Sequence, residues 1–312
     1  MRFRYMHETV LALMIVLACI VMATQSAQFL TGANLLNQGR LMAEVAIVAF
    51  IMTFVIASGG IDLSVGSIMG LAAVLTGVFW QDLGIPLPLV LPLVLIVGLC
   101  CGLFNAFIIT KFNFPPLIAT LGTLALYRGL AEGISRAKSV RGYPEWFSVI
   151  GQGTILGLPT QIWIILLFFV LCAFVLGTTR WGRTVYAMGS SEQAARFAGL
   201  PVDQTKMAIY AASGFASALA GIIFVSRVST TRSDMGVGLE LDVITAVVLG
   251  GTSIFGGRGT IIGTALGLML IQTLESGLSL AGVKGDGTIV LIGVVLILAL
   301  LMSNLSERRM RH

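Results

Sequence analysis

Charge is scarce in this sequence. Only 11% of its 312 residues are Asp, Glu, Lys or Arg, where a water-soluble domain carries roughly a quarter. Histidine is scarcer still: His7 and His312 lie near the two ends, so no metal-ligand cluster can be assembled from the usual residues. The four cysteines, Cys19, Cys100, Cys101 and Cys172, all fall inside apolar runs, where a thiol is a small packing residue. Neither a disulfide nor a metal is expected. No glycine-rich run ends in Gly-Lys-Ser/Thr, so the chain has no nucleotide-binding P-loop and no expected cofactor of its own. Clustered acids, histidines or a nucleophile with its base are missing as well, which argues against an integral-membrane enzyme and leaves no catalytic residue to name.

What is abundant is apolar: 57% of residues are hydrophobic and the mean hydropathy is +0.98. The apolar runs recur from one end to the other and leave no stretch for a separate soluble domain. The expectation is one membrane domain over residues 1–312, an all-α polytopic bundle in a lipid bilayer. A helix needs about 20 apolar residues to cross, fewer where it is broken inside protein. Ten spans are expected, near 9–24, 41–58, 64–80, 86–110, 117–133, 160–177, 207–226, 241–255, 260–276 and 288–304. The first has the make-up of a secretory signal, with Arg2 and Arg4 before an apolar run, and is read as an uncleaved anchor.

The net charge of +5 does not point to nucleic acid, since no basic face is interleaved with aromatics. The basic residues sit between apolar runs, at Arg2/Arg4, at Arg180/Arg183/Arg196/Lys206 and at Arg308/Arg309/Arg311, as in cytoplasmic loops and tails. Ten spans and two basic ends agree on cytoplasmic termini, with 178–206 inside as well. Arg136, Lys138 and Arg141 then fall outside, in the interval 134–160, against the trend of the rule. Small residues at helical spacing, Gly66/Gly70, Gly98/Gly102 and Gly263/Gly267, predict close helix contacts.

Two glycine breaks interrupt the apolar pattern. The first, Ser58-Gly59-Gly60-Ile61-Asp62-Leu63-Ser64, places a carboxylate near hydrocarbon, where it is costly. Asp62 is either a cap on the following helix or part of a gate, with Ser58, Gly59, Gly60 and Ser64. The second, starting at Gly250-Gly251, repeats the pattern weakly. The hydrophilic interval 178–206 contains a short capped helix: Ser190 or Ser191 as N-cap, Gln193 in reach of a capping box, then Glu192, Arg196 and Phe197, a stop at Gly199 and Pro201 beyond. It is either a solvated connector or a docking element. Phe197 and Leu200 favour docking, because they leave apolar side chains uncovered.

The Ser58–Ser67 segment, Ala119-Thr120-Leu121-Gly122-Thr123 with Tyr127-Arg128-Gly129, Gly182-Arg183 with Tyr186-Ala187-Met188-Gly189, and Ala246-Val247-Val248-Leu249-Gly250-Gly251-Thr252-Ser253 together resemble the ribose-type permease family of bacterial ABC importers, over about residues 34–303. The stretch Gly133–Phe147 departs from ribose permeases and is closer to the rhamnose and autoinducer-2 branches. The resemblance implies the ABC importer permease fold in the bacterial inner membrane. It also implies a second permease subunit, identical or related, a cytoplasmic ATP-binding subunit that holds ATP and Mg²⁺, and a periplasmic sugar-binding protein. It makes the loop with Ser190, Glu192, Gln193, Arg196, Phe197, Gly199 and Leu200 the contact with the ATPase. Sugar passage calls for uncharged polar groups, and the mid-span candidates are Asn105, Thr120, Thr123 and Tyr127; for any one of them interhelical hydrogen bonding is the favoured account. The rival is an ion-coupled secondary transporter using acids such as Glu44, Asp242 and Glu275, which fall near predicted helix ends.

Overall fold

A computed structural model of the chain describes residues 6–136 and 138–283, together with 287, 290, 293 and 294. The described residues form an all-helical bundle. In order, the helices are α1 (Met6–Gln25), α2 (Gly32–Leu41), α3 (Ala43–Ala57), α4 (Val65–Gln81), α5 (Leu87–Lys111), α6 (Pro116–Ser135) and α7 (Glu145–Gln152). After a small hairpin, β1 (Thr154–Ile155) and β2 (Leu158–Pro159), come α8 (Thr160–Thr178), α9 (Arg180–Ser190), α10 (Glu192–Phe197), α11 (Val202–Val228), α12 (Leu239–Leu249) and α13 (Ile261–Leu280).

Local chemistry sets many of the boundaries. Pro86 and Pro115 stand at the N-caps of α5 and α6, where a fixed φ suits the first turn and no amide is wasted. Thr179 and Thr260 cap α9 and α13 by accepting from the amides of Gly182 and Gly263. The hairpin turns through Leu156 and Gly157, both at positive φ, as a two-residue connection requires.

Five described helices, α1, α5, α8, α11 and α13, are long and apolar enough to cross a membrane. A sixth crossing forms if α2 and α3, bent by 51° at their junction, act as one broken span. The remaining expected spans are of other kinds. The helix α4 is apolar but has 17 residues, about 26 Å. The expected span 241–255 is helical only to Leu249, within α12, whose 11 residues measure about 16 Å, half a bilayer. All of the expected span 288–304 except residues 290, 293 and 294, together with both basic tails and their orientation, lies outside the described residues.

Close helix contacts occur where the small residues predict them. Gly98 and Gly102 of α5 meet the Gly214 and Tyr210 backbone of α11, Gly263 of α13 meets Gly250, and Gly267 meets Ala246 of α12. These contacts, with the hydrogen bonds between helices, define two ends of the bundle. One holds α9 and α10. The other holds α7, the segment 138–144 and residues 229–235, joined by the Val140 amide donating to Thr231 Oγ1 and the Gly151 amide donating to Ser226 Oγ.

Between α11 and α12 the chain descends from the α7 end without helix. Its Gly236 lies against Gly66, and the Met235 carbonyl against Gly70. Arg128 of α6 donates through Nη1 to the Ser233 and Met235 carbonyls, 2.9 Å each. Non-helical backbone at membrane depth is tolerated only when its polar groups are covered in this way.

Candidate functional site

The two glycine breaks end their helices by the same device. The Gly60 amide donates to the Val55 carbonyl and the Gly59 amide to Ile56, with Gly59 at φ 85°. The Thr252 amide donates to Val247 and the Gly251 amide to Val248, with Gly251 at φ 90°. Both are Schellman endings of α3 and α12, in which glycine takes the left-handed conformation.

Beyond α3 the chain is held by a buried polar network. Asp62 is fully buried; its Oδ1 accepts from the Ser64 amide at 3.0 Å and Ser64 Oγ at 2.7 Å, and its Oδ2 from Ser213 Oγ of α11 at 2.7 Å. Asp62 therefore bonds the residue that precedes α4 and crosses to α11, rather than capping the amides of the first turn of α4. Asn105 of α5 donates to Ser64 Oγ at 2.8 Å, and Tyr127 of α6 donates to Asn105 Oδ1 at 3.2 Å and to the Cys101 carbonyl at 2.9 Å. Thr120 donates to the Ile61 carbonyl at 3.1 Å, and Thr123 to the Thr120 carbonyl. Ser58 turns back to Val55. Asn105, Thr120, Thr123 and Tyr127 thus bond to protein groups, and Asn105, Thr120 and Tyr127 fasten the break to α5 and α6. Nothing local in the sequence marks Ser213 or the buried Tyr210 hydroxyl beside Gly60 as parts of this site.

The breaks meet each other and the loop helices. Gly59, Gly189 at the end of α9 and Gly256 come together backbone on backbone, and the Gly257 amide donates to the Ala57 carbonyl at 2.9 Å. Tyr186 Oη donates to the Gly259 carbonyl at 2.6 Å. A Cβ at Gly189 would overlap the Ala57 carbonyl, so glycine is required there. From the second break, Gly256 and Gly257 reach the first. Gly250 instead packs on α13, and Gly251 lies against His7 of α1.

The short helix α10 is built as its sequence suggests, with two changes. Ser191 is the N-cap, accepting from the Ala194 amide at 3.2 Å, whereas Ser190 Oγ donates back to the Tyr186 carbonyl. That register places Ala194 where a capping box needs Glu or Gln, so Gln193 is an exposed surface residue and forms no box. At the other end Gly199, at φ 73°, closes another Schellman turn, with the Leu200 amide donating to Ala195 and the Gly199 amide to Arg196. Leu200 folds under the helix against Met188, Ala195 and Val202. Of the two large apolar side chains, only Phe197 remains open, at 85% exposure, and Phe255 of the second break is 92% exposed.

Charge pins α10 to the start of α11. Glu192 accepts from Lys206 Nζ at 2.7 Å and Arg196 Nη2 at 3.0 Å, and Arg196 also donates to both oxygens of Asp203. Partial burial pushes the Glu192 carboxyl up, but hydrogen bonds and charge from Lys206 and Arg196 outweigh it and leave its pKa below the ordinary value.

With this geometry in view, the comparisons with known proteins fall into line. Residues 34–300 match the family described as "Branched-chain amino acid transport system / permease component". The chain belongs to this permease family. The autoinducer 2 import system permease protein LsrD of Photorhabdus luminescens is 38% identical over 309 residues, covering 97% of this chain and 92% of that protein. The LsrD protein of Photorhabdus laumondii is 39% identical over the same length. That of Escherichia coli K12 is 38% identical over 315 residues, covering 99% and 95%. No solved structure matches. As a member of the family, the chain is a multi-pass inner-membrane protein and the membrane-spanning permease subunit of an ABC importer. It is a transport subunit and not itself an enzyme.

Proposed function

We propose that this permease, acting as one membrane domain, admits a monosaccharide or a sugar-like molecule of the autoinducer-2 type. The near-full-length likeness to LsrD proteins supports the choice of cargo. In this reading a cytoplasmic ATP-binding subunit, which carries the ATP and Mg²⁺, grips the loop 178–206. A periplasmic binding protein delivers cargo at the α7 end, a second permease completes the pathway, and both termini face the cytoplasm.

One observation carries the coupling part of the proposal. The helix α10 is a rigid, doubly capped and charge-clamped unit with a bare phenylalanine, and through Gly189 it is continuous with a backbone junction between both breaks. A partner that moves Phe197 therefore moves Gly189, and with it the ends of α3 and α12. Transport switches work by such rigid-body shifts between discrete packings.

Co-purification tests the grip. Phe197→Ala removes an exposed side chain, with a stability change within about 0.5 kcal/mol, yet truncating an interface anchor costs about 2 kcal/mol or more of binding. The ATPase should be lost from the Phe197→Ala complex while the permease stays folded and monodisperse. Retention of the ATPase at wild-type stoichiometry and affinity would exclude α10 as its contact.

A further inference from the structure

At the α7 end, away from the breaks, the structure has an open pocket of about 470 Å³. Its walls come from the start of α3, the end of α11, the non-helical descent and the first turn of α12, and Met69 and Gly236 line it where α4 meets the descent. The volume lies within the range of small-molecule sites, about 300–1,000 Å³.

The lining is rich in charge, from buried Glu44 to exposed Arg232, Asp234 and Asp242. Glu44 is buried and accepts from Arg227 Nε at 2.8 Å. Arg232 pairs with Asp234. Asp242 also lines the cavity, and its carboxylate makes no hydrogen bond or ion pair with any described residue. The Thr230 hydroxyl is likewise unpartnered among the described residues. Three carboxylates against two guanidinium groups leave one negative charge. A pocket of this size with a few convergent polar groups is the default candidate for a binding site.

We propose that this cavity is the chamber that receives the transported molecule. On the transport reading above, it takes a small, uncharged polyhydroxylated ligand. Carboxylate oxygens only accept hydrogen bonds and guanidinium groups only donate them. Asp242 accepts from ligand hydroxyls, Arg227 donates to a ring or hydroxyl oxygen, and the ion pair with Glu44 fixes the direction of the Arg227 fork. The surplus negative charge sets a selectivity: anionic analogues of the same size are repelled by Asp242, an unfavourable contact that the neutral molecule does not meet.

Asp242→Asn keeps the shape and removes the charge. The complete importer, with its ATPase and binding protein, is reconstituted in proteoliposomes and supplied in turn with labelled D-ribose, L-rhamnose and autoinducer 2, and with D-ribonate as the anionic analogue. For whichever neutral probe the wild type carries, the variant should show uptake reduced at least ten-fold. Its discrimination against ribonate should narrow by a similar factor, with the chain present in wild-type amounts. A second measurement does not depend on that variant folding. Val237→Cys, whose side chain lines the cavity and is 69% exposed, should react with an impermeant maleimide, and the transported probe should slow that reaction several-fold. Wild-type uptake of none of the neutral probes would overturn the transport reading itself. Wild-type uptake with an unaltered Asp242→Asn variant and unprotected Val237→Cys would overturn the chamber alone.

Discussion

At the scale of single residues, the network around Asp62 and the junction at Gly189 carry the strongest expectations. Asp62→Ala would strand the hydroxyls of Ser64 and Ser213 and the Ser64 amide in a site closed to water. Each buried group left without a partner costs about 1–3 kcal/mol. Asp62→Asn keeps one acceptor oxygen for Ser64, and Ser213 Oγ can turn to accept from the new amide. Thermal midpoints in detergent should fall in the order wild type, Asp62→Asn, Asp62→Ala; equal midpoints would mean the network bears no load. Gly189→Ala would drive a methyl group into the Ala57 carbonyl and crowd the Gly257 amide. Overpacking of this kind costs about 1–3 kcal/mol, and uptake should drop more than ten-fold because the junction is forced apart. Gly122→Ala, with nothing within 4 Å of the added carbon, is the matched control and should transport normally.

At the scale of elements, α10 and the two breaks show what a sequence reveals and what it hides. The ending of α3 at Gly59 was legible, because a glycine pair is a local signal and needs only its own helix. That of α12 was legible only as a break: Gly250-Gly251 was noticed, yet the expected span ran on to 255 while the helix stops at Leu249. Only contact with Gly66 and Gly70 shows that the chain before α12 descends without helix. The cap of α10 was legible to within one residue, and that residue cost the capping box. Leu200 and Phe197 look alike as exposed hydrophobics in sequence, and folding buried one of them. Asn105 and Tyr127 were read either as pathway groups or as hydrogen-bonding ties between helices; the tie to Ser64, forty-one positions from Asn105, is not encoded in any window of sequence. Neither was the meeting of Gly59, Gly189 and Gly256.

The clamp on α10 also has a pH signature. Its carboxyl Glu192 is depressed below its ordinary value of 4.5. A depressed carboxyl contributes stability that is fully present above its unfolded pKa and disappears as pH falls through its folded pKa. Hydrogen-exchange protection over residues 192–206 should therefore be constant from about pH 8 to pH 5.5 and decline as pH falls below the ordinary value of 4.5. A decline between pH 7 and pH 6 would show that some other group holds the helix. Glu192 and Arg196 are partly solvated, so the effect belongs to the loop and leaves global unfolding nearly unchanged.

At the scale of the whole molecule, the bundle has a closed, glycine-fastened end beside α10 and a charged chamber at the opposite end. The acids that suggested an ion-coupled transporter are distributed accordingly. Glu44 and Asp242 line the chamber, with Glu44 committed to Arg227, and no acid chain leads from them through the Gly59–Gly189–Gly256 junction among the described residues. A molecule in the chamber is thus separated from the far side by a backbone junction. The account assigns the opening of that junction to force applied at Phe197 from outside the chain. Uptake into proteoliposomes holding the assembled importer measures this directly. With ATP sealed inside, wild-type vesicles should accumulate the labelled sugar-like probe, vesicles carrying Phe197→Ala should not, and imposing a proton or sodium gradient without ATP should give no uptake in either. Accumulation driven by an ion gradient in the absence of ATP, or ATP-driven accumulation undiminished by Phe197→Ala, would contradict it.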